Sequence, residues 1–157
     1  MSYHQHLRAL PPSELVLDPG WLAEHMTAAW ERLPEEYAAG VAHAVEKDFF
    51  VHALLYTGGS EAADDPSDVR TLPVFGGRPV FREDGEPPFA VMTPEQVART
   101  AAYLAQADFD ALWAAAGEQL GGTAADRDHL RALHEQLAAF YGRAAAAGHS
   151  VVKAFWF

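Results

Sequence analysis

Two imidazoles stand one residue apart at the start of the chain, at His4 and His6. On a strand, residues at this spacing leave the same face, and a His-x-His pair can chelate zinc. A metal site needs further ligands, and spacing fixes none; His25, His43 and His52 are possibilities only. His129 and His134 lie five apart on one helical stretch and so face different directions. His134-Glu135 lacks the second histidine of the helical zinc pattern. His52 falls in the most apolar helical stretch and reads as a core histidine. With no cysteine there is no disulfide, thiolate site or cysteine nucleophile. No metal and no cofactor are expected.

Other chemistries find equally little support. Gly58-Gly59 and Gly76-Gly77 are not followed by Lys-Ser/Thr and read as turns rather than phosphate loops. Ser13, Ser60, Ser67 and Ser150 have no nucleophile-elbow context. Asp64, Asp65 and Asp68 fit no calcium-loop spacing. One combination has a chemical rationale. Lys47 is one of two lysines and sits where a polar helix face gives way to the apolar run Phe49–Tyr56. Arg78 and Arg82 flank a glycine-rich flap. Lys47, Tyr56 and Arg78 are therefore the candidate lining of a small-ligand pocket, the alternative being that Lys47 snorkels and pairs with a nearby acid.

The formal net charge of −11 bounds the partners. Nucleic acid calls for a basic stripe that displaces counterions, and none is present. Anionic membranes are disfavoured for the same reason, and no stretch approaches the length needed to span a bilayer. The start MSYHQH is not a signal peptide. A soluble, cytoplasmic protein is expected, meeting if anything a basic protein partner. Heavy alanine use and few lysines suggest a GC-rich bacterial genome.

The elements that must position these residues follow from periodicity. Ser2–Ala9 alternates as a strand and ends at Pro11-Pro12. Asp18-Pro19 reads as a helix start, with Leu22, Met26, Ala29 and Trp30 on one face. Glu35–Thr57 reads as a second helix, stopped by Gly58-Gly59. Ser60–Val69 is acidic and turn-rich, and is expected to be a mobile surface loop. Pro79–Arg82 and Phe89–Met92 predict an edge hairpin. Thr93-Pro94-Glu95-Gln96 is a capping box, and Asp108 caps the next helix. From Asp126 a long amphipathic helix runs to Gly148, and a strand from Ser150 ends on Phe155-Trp156-Phe157. Three aromatics there require cover, which places that strand inside the sheet.

Four stretches, in this order, resemble the YfbM-like family of bacterial proteins. They are the short amino-terminal strand, KDFFVHALLYTG at Lys47–Gly58, TPEQVARTAAYLAQADFDALW, and HLRALHEQLAAFYGRAAAAGHSVVKAFWF. Lys47, Thr57 and Gly58 match the family pattern; Phe49 stands where tryptophan is common, and His52 is one position earlier than the family histidine. The resemblance implies a three-layer or mixed α+β fold and supplies no catalytic residues. Residues 1–157 are accordingly read as a single α+β domain, with a small mixed sheet covered by helices. Two functions remain: an acidic interaction module without catalytic machinery, or a ligand-binding protein or enzyme with its pocket near Lys47, Tyr56 and Arg78.

Overall fold

The computed structural model describes residues 4–59 and 64–156. Strand β1 (His4–Leu10) is followed by helices α1 (Pro19–Glu31) and α2 (Leu33–Ala39), strand β2 (Ala42–Glu46) and helix α3 (Phe49–Thr57). Then come β3 (Arg78–Val80), β4 (Phe89–Met92), α4 (Pro94–Gln106), α5 (Phe109–Leu120), α6 (Ala124–Ala146) and β5 (Ser150–Trp156). The strands form one sheet in the order β2-β1-β5-β4-β3, and every pairing is antiparallel. The fold is thus α+β as expected, with an antiparallel rather than a mixed sheet.

Capping chemistry sets most helix starts. The Asp18 side chain accepts from the Trp21 amide, and Thr93 with Gln96 completes a reciprocal capping box. Asp108 accepts from the amides of Asp110 and Ala111. The expected helix from Glu35 to Thr57 does not run through. Gly40, at φ 74°, ends α2 in a left-handed cap, and residues 42–46 add an edge strand to β1. The alternation from Val41 to Val45 served either reading, and an unpaired β1 edge decided it. The hairpin of β3 and β4 forms, with Pro79 on the edge strand.

β5 lies at the centre and alternates its cover. Val151, Lys153 and Phe155 face the larger cluster, with Leu7, Phe49, Tyr56, Val97, Phe140 and Tyr141. Val152 and Ala154 face a smaller cluster under α1, with Leu22, Met26 and Phe89. Helices therefore cover both faces, the three-layer arrangement that a strand apolar on both sides requires. Met1–Tyr3, Ser60–Ala63 and Phe157 lie outside the described residues; they include the start of the predicted first strand, part of the expected mobile loop and the last aromatic.

Candidate functional site

The site begins in the core, with a lysine. Lys153 is fully buried in the central strand, beside Leu7 and Ala90 on its neighbours. Its Nζ donates to the carbonyls of Leu72 and Gly76, the latter at 2.8 Å. Burial holds the amine well below its ordinary pKa. Two further side chains do the same work. Gln5 Nε2 donates to Val74 O at 2.6 Å, and the Tyr141 hydroxyl to Pro73 O at 2.9 Å.

Three consecutive residues, Leu72 to Val74, and Gly76 thus have their carbonyls held by core donors. The segment 71–76 has no ladder partner of its own, so buried side chains satisfy its backbone. Gly76 is required there: a Cβ would stand 2.5 Å from Leu72 Cα and 2.8 Å from Pro66 O.

What this segment displays is Phe75. Its ring stacks on Phe155 of β5 at 5.5 Å and meets Phe50 of α3 at 5.5 Å. Phe49, fully buried, completes the group. The aromatic series therefore runs from the core to the surface. Phe50 is 56% exposed and Phe75 37%, with Val51 exposed beside them. A groove of about 210 Å³ adjoins this ridge, lined by Ala53, Leu54, Thr57, Gly59, Thr71 and Phe75. Its lining residue Thr71 follows a segment that carries Asp64, Asp65 and Asp68, the last paired with Arg70 at 3.1 Å. There Asp65 accepts from Ser67, and the Asp68 carbonyl accepts from the amides of Thr71 and Leu72. Asp64 and Asp65 are exposed.

The residues singled out from sequence do not share a site. Lys47 is exposed in the turn after β2, and Arg78 is exposed on β3. These strands are the two edges of the sheet, four intervals or about 19 Å apart. Tyr56 is buried under α3, where its hydroxyl lies 2.8 Å from His134 Nδ1. Burial raises the tyrosine pKa, so the hydroxyl keeps its proton and pairs with the imidazole as a neutral group. Arg82 pairs with Asp84 at 2.6 Å and lies over the Phe89 ring. The pocket expected from Lys47, Tyr56 and Arg78 is thus replaced by three separate environments. Sequence spacing could not show this, since His134 lies 78 residues from Tyr56.

Among the histidines, His6 and His52 are fully buried with neither ring nitrogen partnered. Desolvation holds both at a pKa of about 4. No group of three or more histidine, aspartate or glutamate side chains able to hold a metal occurs among the described residues.

The arrangement defines a class first: a three-layer antiparallel α+β domain whose buried polar groups fix a loop that exposes an aromatic face. The chain belongs to the family described as Domain of unknown function (DUF1877), which matches residues 1–153. Among solved structures it is similar to YfbM from Escherichia coli, a protein of unknown function. The TM-score is 0.62 at 14% identity, over 98% of this chain and 99% of that one. At that identity the likeness speaks for the fold. A search of curated proteins gives no match. No helix among the described residues is long and apolar enough to cross a membrane.

Proposed function

We propose that the protein is a binding module that receives a basic, apolar-anchored segment of another protein on the face formed by α3 and Phe75. The observation that carries this reading is the exposure of Phe50, Val51 and Phe75 beside an apolar groove. A contiguous apolar surface with a polar rim favours a partner over water. The loop is held from below by Lys153, Gln5 and Tyr141, so the face is preorganised and loses little freedom on binding. The exposed Asp64 and Asp65 and the net charge of −11 favour a basic partner and speed its approach.

The test uses two amphipathic helical peptides, one of leucine and lysine and one of leucine and glutamate, titrated by fluorescence anisotropy. The basic peptide binds, more weakly as salt rises. The Phe50→Asp substitution, at an exposed position, lowers its affinity at least about tenfold while leaving the fold intact. Equal binding of the acidic peptide, or an unchanged affinity in Phe50→Asp, overturns the reading.

A further inference from the structure

The opposite face of the sheet carries a second surface feature, independent of the α3 face. Where β2, β1 and β5 run side by side, Glu46, His4 and Trp156 are direct cross-strand neighbours. Residues paired in this way send their side chains from the same face. α1 covers this end of the sheet and lays Trp30 on it. The Trp30 ring stacks on His4 at 4.6 Å, with 18° between the planes, and meets His6 edge-on at 5.7 Å. A cleft of about 300 Å³ remains, lined by His4, Thr27, Trp30 and Trp156. That volume lies at the lower end of small-molecule sites. Trp30 is 45% exposed, so an indole face is presented to whatever enters.

The electrostatics point one way. Indole faces carry the negative lobe of the ring quadrupole and attract cations. Glu46 is exposed at the end of the same row and takes part in no ion pair among the described residues. Arg8, the arginine further along this face of β1, is committed to Glu36 at 2.5 Å and to the His25 carbonyl. His6, buried against the Trp30 ring, is neutral near pH 7 because burial holds its pKa at about 4. Among the described residues no lysine or arginine lines the cleft.

We propose that this cleft binds a methylated ammonium group, with Trp30 and Trp156 packing against the methyl carbons and Glu46 balancing the charge. The same chemistry is presented by a free quaternary ammonium compound and by a trimethylated lysine side chain. Both are large enough to touch two ring faces and too weakly hydrated to prefer water.

Indole N–H signals in a nitrogen–proton correlation spectrum read the test. The ligands are choline, its neutral isostere 3,3-dimethylbutanol, and a short peptide carrying trimethyllysine. With choline, the Trp30 and Trp156 signals shift saturably, with a dissociation constant on the order of 1 mM, while Trp21 and Trp113 stay in place. The neutral isostere produces no saturable shift. Glu46→Gln weakens binding about threefold and Trp30→Ala at least about tenfold. Should Trp30→Ala misfold, Trp30→Leu at the same position, checked by its spectrum, replaces it. A peptide affinity well above that of choline assigns the site to protein side chains, and the reverse assigns it to free small cations. No saturable shift with either cation up to about 50 mM, or equal binding of the isostere, overturns the proposal.

Discussion

Replacing Lys153 with methionine separates two opposing contributions to stability. The buried amine donates to Leu72 O and Gly76 O and takes part in no ion pair among the described residues. A neutral amine has two N–H groups, which match the two carbonyls; the third proton of an ammonium would find no acceptor. Burial accordingly lowers the folded pKa well below the ordinary 10.5. Between those two values the unfolded chain binds one proton more than the native chain. Wild-type stability therefore rises with pH across that window, by up to about 1.4 kcal/mol per pH unit. Methionine has no such term, but it leaves two buried carbonyls without donors, at about 1–3 kcal/mol each. At neutral pH the loss of roughly 2–6 kcal/mol is set against relief of up to roughly 5 kcal/mol, the cost of keeping a lysine deprotonated there. Near pH 10 the relief is gone and the full loss appears. Urea unfolding of both proteins at several values from about pH 7 to about pH 10 gives the difference directly, and titrations common to both cancel. The destabilisation caused by Lys153→Met is expected to grow as pH rises between the lowered folded pKa and the ordinary 10.5, by up to about 1.4 kcal/mol per pH unit. A difference independent of pH would refute the reasoning, because it would mean that the amine remains charged in the fold.

Two further perturbations test the same core. Gly76→Ala drives a Cβ into the backbone of Leu72 and Pro66 and is expected to cost several kcal/mol, whereas Gly142→Ala, in the interior of α6 with open space around it, stabilises by about 0.5–1 kcal/mol. Urea midpoints in which the Gly76 variant equals wild type would show that segment 71–76 moves freely. His6, His43 and His52 are buried with pKa values held at about 4, chiefly by desolvation, against 6.5 for the unfolded chain. Stability should fall as pH drops from 6.5 towards 4, with a combined slope of up to about 4 kcal/mol per pH unit; uptake of less than one proton on unfolding near pH 5 would contradict it.

The helices and the terminal strand were legible in sequence because their signals are local. Thr93 with Gln96, Asp108, and the stop at Gly148 each act within one turn. The central position of β5 followed from aromatics on both faces of its end. Strand β2 was not legible, since its apolar spacing also suits a helix and only the need of β1 for a partner decides. The loop 71–76 was hidden for a different reason: its order comes from donors 68 to 81 residues away. A signal for Lys153 was nonetheless present. It is the one charged side chain among Val151, Val152, Ala154 and Phe155, where a cation has no reason to lie unless something buried needs a donor. Lys47 drew attention instead because it borders an apolar run, yet a lysine at such a border reaches water.

The strand order has a consequence for the sequence of events during folding. β1 with β2, and β3 with β4, can each zip into a two-stranded unit as soon as they are synthesised, but neither unit shares a ladder with the other. β5, the last of the five to be made, supplies both missing seams at once, one against β1 and one against β4. Until residues 150–156 arrive, the edges of β1 and β4 are open to any other extended chain. The nascent protein therefore passes through a stage with two unguarded edges, and the slow, long-range closure by β5 is the step at which folding and aggregation compete.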